Sequence, residues 1–140
     1  MRKYVCVLAI LSAALLLQML VACTPRQQPT DPASVTRALF NAINQGKAEV
    51  AANCFAKDGE FIAAFGQPKG AEKIQGFFKM TMIPLKARVE IKELKADGEN
   101  VTGIFSFSST NLGHDAPLPM EVIGVVQEGK IKTMTWSTRK

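Results

Sequence analysis

Four β-rich runs in succession set the terms for the whole chain: Leu85–Leu94, Val101–Ser109, Pro117–Gln127 and Lys130–Ser137. Asp97-Gly98 lies in the first connection and Glu128-Gly129 in the last. Such pairs favour tight hairpins, because glycine reaches positive φ at little steric cost. Val101, Gly103, Phe105 and Phe107 alternate with Thr102, Ser106 and Ser108, the period-2 pattern of a sheet with two unlike faces. A meander of this kind has one apolar face that must be covered. The residues upstream have to supply the cover.

They read as helices. Asp31 is the expected N-cap of the first, with Pro32 at its first helical position. Val35, Ala38, Leu39, Ala42 and Ile43 form one continuous face, and Gly46 is placed to end the helix in a left-handed conformation. A short second helix is expected over Ala48–Ala56, with Val50, Ala51, Cys54 and Phe55 inward, stopped by Lys57-Asp58-Gly59. Glu60–Phe65 reads as a short strand, and the stretch from Gly66 to Gly70 as a loop rich in breakers. A third helix runs from Ala71 towards Ile83, with Ile74, Phe77, Phe78 and Met82 on one stripe and Pro84 at its end. Helices followed by an antiparallel meander imply an α+β fold, a curved antiparallel sheet wrapped on N-terminal helices. A helix across such a sheet makes a cone with an apolar interior open at one end, the kind of mouth where small molecules bind.

At 140 residues the chain is one domain with trimmings. The trimmings are at the front. Arg2 and Lys3 precede an almost unbroken apolar run from Val5 to Val21, which describes a secretory signal peptide. Leu20-Val21-Ala22-Cys23 resembles the lipobox of bacterial lipoproteins. That resemblance implies cleavage before Cys23 and lipid, palmitate among it, on the Cys23 thiol. The polar, proline-bearing stretch Thr24 to Thr30 suits a tether better than the flank of an uncleaved membrane span. The expected organisation is therefore a signal peptide over 1–22, lipidated cysteine and spacer over 23–30, and the folded domain over 31–140. Acyl chains contribute about 0.8 kcal/mol per buried methylene, so a multiply acylated Cys23 would hold the domain to a membrane. The site is the cell envelope. Thr24, which is not aspartate, further implies the outer membrane in a diderm host, on its periplasmic face or at the cell surface.

Cleavage would leave Cys54 as the one remaining thiol, which rules out an internal disulfide. It would also lower 17 basic residues to 15 against 12 acidic, a net charge of about +3. No run of Lys and Arg alternates with aromatics, so no nucleic-acid partner is expected. With one histidine in the chain and no ligand spacing around it, neither a metal nor another cofactor is expected.

Several short segments, in order, resemble the nuclear-transport-factor-2-like superfamily, with its SnoaL-like and ketosteroid-isomerase-like branches and its cystatin-like cone. They are the stretch from Leu39 to Gly46, Cys54 to Gly59, Gly70 to Ile74, and Glu128 to Ile131 leading into a strand that ends near Trp136. The likeness covers roughly residues 31–137. In the isomerase branch it implies a carboxylate base late in the first strand and an oxyanion-binding tyrosine in the first helix. Laid on this chain without gaps, those positions are Ala63 and Leu39. Neither can move a proton or donate to an oxyanion, which speaks against isomerase chemistry of that type.

Other candidates for chemistry remain. His114-Asp115 pairs a histidine with a carboxylate, and cyclases and dehydratases of the superfamily use such a pair, but its surroundings read as a hairpin loop. Glu121 stands among Met120, Val122, Ile123, Val125 and Val126; inward it would be a desolvated acid, outward an ordinary strand position. Cys54 reads as core packing. Met134 and Trp136 alternate with Thr133 and Thr135, and that side of the strand could line the cone or form a sheet-to-sheet homodimer, a habit of the superfamily. The expected ligand pocket is Leu39, Ala63, Phe77, Phe105 and Trp136. The expected role is non-catalytic, a lipid-anchored domain holding an apolar small molecule or meeting a protein partner. The alternative is an isomerase, cyclase or hydratase working through Glu121 or His114-Asp115.

Overall fold

The computed structural model describes residues 30–140, so the expected leader, lipobox and most of the spacer lie outside the described residues. Helix α1 spans Pro32–Asn44, and its N-cap Asp31 accepts from the Ser34 amide at 3.0 Å. At its other end Gly46 takes φ +68°; its amide donates to Ile43 and that of Lys47 to Ala42. That pairing satisfies carbonyls the last turn would otherwise leave open. Helix α2 is short, Ala48–Asn53, followed by strand β1, Phe55–Ile62. Helix α3 covers Ala71–Met80, and the turns after it lead into β2 (Ala87–Asp97), β3 (Asn100–Ser109), β4 (His114–Gln127) and β5 (Lys130–Thr138).

The sheet order is β1-β5-β4-β3-β2. The four expected strands form an antiparallel meander, and β1 adds to its far side in parallel with β5. Glu128 and Gly129 both have positive φ, the geometry that lets two residues join strongly twisted strands. Curvature has identifiable causes. A bulge in β2 between Ile91 and Glu93 faces Ile104 and Phe105 of β3, next to Gly103, which pairs with Leu94. A Cβ on Gly103 would lie 2.5 Å from the Glu93 carbonyl oxygen, so only glycine lets β2 come this close. The bent sheet folds its apolar face around α1 and α3.

Three expectations need correction. The second helix stops at Asn53 rather than reaching Ala56, and Phe55 already belongs to β1. Its buried face is Ala48, Ala51 and Ala52, while Val50, expected inward, is 50% exposed. The first strand starts at Phe55 rather than Glu60, because Phe55 pairs with Ile131 and the Cys54 carbonyl accepts from the Ile131 amide at 2.8 Å. Gly59 is therefore a strand residue, where a Cβ would meet the Ile131 carbonyl oxygen at 2.8 Å.

Candidate functional site

The space between α1, α3 and the inner face of the sheet is filled by aromatic rings. Trp136 of β5 is the hub, 2% exposed. Its ring centroid lies 4.9 Å from Phe105, 5.1 Å from Phe61 and 5.4 Å from Phe40, with Phe107 at 6.5 Å. The contacts with Phe61 and Phe40 are edge-to-face, the arrangement aromatic quadrupoles prefer, at about 0.5–1.5 kcal/mol per pair beyond area burial. These rings come from three strands and from α1, so the cluster also fastens the layers to each other.

One polar atom sits inside it. Among the described residues, Trp136 Nε1 is a buried donor with no hydrogen-bond partner. Leaving such a group unpaired costs about 1–3 kcal/mol. The other buried polar side chains are committed: Thr36 Oγ1 donates to the Pro32 carbonyl at 2.9 Å, and Ser109 Oγ to that of Leu85.

The residues expected to line a pocket are brought together here, but as a packed core. Leu39, Ala63, Phe105 and Trp136 are buried, and Phe77 is half-buried. Among the described residues, depressions of about 270 to 490 Å³ on the surface are lined by none of the five. The hollow expected from the sequence is thus occupied by side chains. A path of rings nevertheless reaches the surface. Phe65, 48% exposed, stacks on Phe77 at 5.8 Å; Phe77 lies 5.9 Å from Phe61, and Phe61 touches Trp136. Sequence reasoning missed Phe65 and Phe61. Their signal was there, two aromatics at i and i+4 flanking the expected Ala63.

Of the candidates for acid–base work, Glu121 stands away from this interior. Glu121 points to the outer face, between Ile104 and Ser137 in the ladder, with its carboxylate half-exposed and 3.7 Å from Arg139. His114 opens β4 opposite Ser109, but the side chains of His114 and Asp115 lie outside the described residues. Cys54 is half-buried, its thiol donating to the Val50 carbonyl at 3.5 Å. Burial pushes that thiol up, opposed in smaller part by Lys130.

Met134 and Trp136 both face inward, so of the two alternatives for that side of β5 it is the interior that they join, as core. What the sheet does present outward is a different set. A row crosses all five strands, Lys95–Thr102–Ile123–Thr135–Ile62, and Ile123, on the central strand, is 58% exposed. Ile104 and Val125 lie beside it, half-buried.

A family profile described as a SnoaL-like domain matches residues 36–134. None of the curated proteins compared matches this sequence. Among solved structures, a nuclear transport factor 2-like protein of unknown function from Cytophaga hutchinsonii superposes with TM-score 0.66 at 12% identity, covering 81% of this chain and 94% of that one. A cystatin-fold protein from Novosphingobium aromaticivorans gives 0.67 at 13% identity, over 78% of this chain and 99% of the other. A protein with a ketosteroid isomerase-like fold from Catenulispora acidiphila, solved in complex with trimethylamine, gives 0.63 at 20% identity, over 82% and 86%. These likenesses concern the fold, which is the curved α+β cone anticipated from the order of elements.

Proposed function

The chain belongs to the SnoaL-like domain family, and we propose on that basis that its cone holds an apolar small molecule without transforming it. One observation carries this reading: the positions where the isomerase branch would place its base and its oxyanion donor are Ala63 and Leu39, both buried among apolar groups. A fold of this kind serves many chemistries, and the chemistry lies in the side chains it presents. Here the interior presents rings and aliphatic groups, and Glu121 is on the outer face, its carboxylate beside Arg139. A ligand would have to displace part of the packed interior, and the half-exposed Phe65–Phe77 pair is the least buried part of the ring cluster.

The same reading has the domain tethered to the cell envelope by lipid on Cys23, at the outer membrane if the host has one. The spacer of residues 24–30 would leave it within about 25 Å of the bilayer even when fully extended. A second copy is the partner that the outer sheet face fits best, with Ile123 at its centre and charged side chains around it.

Trp136 is the one tryptophan in the chain, so its emission reports directly on the interior. Titration with a panel of apolar molecules should shift that emission, with the molecules recovered unaltered after long incubation. Recovery of an isomerised, cyclised or hydrated product would overturn the non-catalytic reading. Cys23→Ser should in parallel move the protein out of the membrane fraction.

A further inference from the structure

Two depressions meet at the surface beside the end of α1. One, of about 280 Å³, lies between that helix end and the start of β2, lined in part by Ile43, Gln45, Met82, Ile83 and Lys86. The other, of about 490 Å³, spreads over β2 and β3 towards Pro117, with Glu90, Ser106 and Ser108 in its wall. Asn44 and Arg88 line both. We propose that this joined groove binds a small soluble molecule that presents a carboxylate or phosphate to Lys86 and Arg88. It shares no lining residue with the five expected of the interior pocket, so this site stands or falls separately from the apolar-ligand role.

The charge of the groove sets the sign of its ligand. Among the described residues, ion pairs engage Lys92, Lys95, Lys132 and Arg139, and none includes Lys86 or Arg88. Glu90 is the carboxylate in the wall, and Lys92 Nζ holds it at 2.6 Å. The carbonyls that end α1 would repel an anion, but those of Asn41, Ala42 and Ile43 already accept from the amides of Gln45, Lys47 and Gly46. A guanidinium and an ammonium side by side, with the Ser106 and Ser108 hydroxyls as further donors, suit an oxyanion. Ile43, Met82 and Ile83 give the smaller depression an apolar side, fit for a ring or short alkyl part of the same molecule.

The backbone fixes both cations. Lys86 has φ +49°, a left-handed conformation uncommon outside glycine. Its neighbours hold it there: the amides of Lys86 and Ala87 donate to the carbonyls of Ile83 and Met82, both at 3.0 Å, and Ser109 Oγ and Asn111 Nδ2 donate to those of Leu85 and Pro84. Arg88 adjoins Val89, which Asn44 clamps. Strain kept up by its surroundings is a mark of binding sites. Helix α1 has 13 residues, so the groove lies about 20 Å along it from the point where the spacer joins. On the envelope reading above, that distance favours a solute over a lipid headgroup.

Benzoate and phenyl phosphate carry the two anions on one ring, and benzamide keeps the ring without the charge. Equilibrium dialysis on the full chain in phosphatidylcholine nanodiscs, with empty nanodiscs as the blank, gives their affinities. At least one anion should bind about tenfold more tightly than benzamide, as charge-assisted hydrogen bonds allow. Arg88→Gln and Lys86→Gly should each cut that preference severalfold, the second because glycine keeps the left-handed turn and removes the charge. Emission from Trp136, which lines neither depression, should not move. No preference for either anion, or one that survives both substitutions, would overturn the assignment. A shift in Trp136 emission would overturn it too, by placing the probe among the core rings. Replacing the lipid by phosphatidylglycerol should leave the affinities unchanged, since the groove is farther from the bilayer than the Debye length of about 8 Å at physiological salt. A severalfold loss there would overturn the soluble source and assign the groove to a headgroup.

Discussion

The side-chain amide of Asn44 pairs with both backbone groups of Val89: Oδ1 accepts from its N–H at 2.7 Å, and Nδ2 donates to its carbonyl at 2.8 Å. Asn44 is the last residue of α1, and Val89 lies on β2, the outermost strand of the sheet. The amide therefore stands where another strand's backbone would pair, and it ties the end of α1 to the rim of the cone. An edge strand left open there would be a template for unwanted pairing.

Asn44→Ala is expected to lower stability by about 2 kcal/mol, two net hydrogen bonds at about 1 kcal/mol each. Urea unfolding followed by circular dichroism measures it. A loss below about 0.5 kcal/mol would show that water replaces the amide freely and that the pairing does not anchor the helix.

Two glycines should answer the same substitution with opposite signs. At Gly103 a new Cβ meets the Glu93 carbonyl oxygen at 2.5 Å and Leu94 Cδ1 at 2.9 Å, whereas at Gly76 of α3 nothing lies within 4 Å. Gly103→Ala should cost about 1–3 kcal/mol, as overpacking does, because β2 would have to lift away at its bulge. Gly76→Ala should stabilise by about 0.5–1 kcal/mol through helix propensity and a less free unfolded chain. Thermal unfolding of the two variants gives both signs. Stability gained at Gly103 would mean that the sheet does not depend on this close approach.

Cys54 gives a dependence on pH. Burial raises its thiol above the ordinary value of 9.0, so the folded chain holds that proton more tightly than the unfolded one. The resulting stability is whole below pH 9.0 and is lost as pH climbs through the higher folded value. Relative to Cys54→Ala, the unaltered protein should lose ground in urea titrations between about pH 8 and about pH 10. The native thiol should also react with iodoacetamide more slowly than the same thiol in urea. Rapid native alkylation at neutral pH would contradict the burial.

Much of this was legible in the chain before any coordinates. Asp31 and Pro32 open a helix, Gly46 closes it and Glu128-Gly129 turns a hairpin, because each acts through its own backbone and nearest neighbours. The first strand was misread for the opposite reason. Lys57-Asp58-Gly59 looks like a stop signal, yet Phe55 is held by Ile131, a partner far along the chain that no local pattern names. Val50 was placed inward on a nine-residue helix, but the real helix has six residues and turns a different face to the core. The alternation in β5 was visible, but the side it packs on was not: that depended on the bulges that set the register of β4 against β5. Nor could the pattern reveal that Phe40, Phe61, Phe105 and Trp136 fill the cone, since periodicity gives faces and says nothing of volumes.

The most direct test of a ligand-holding interior is native mass spectrometry of the protein extracted from its host cells in mild detergent. We expect a non-covalent complex with a small apolar molecule that leaves when the chain unfolds. Bare protein from every preparation, with no added mass before unfolding, would contradict it.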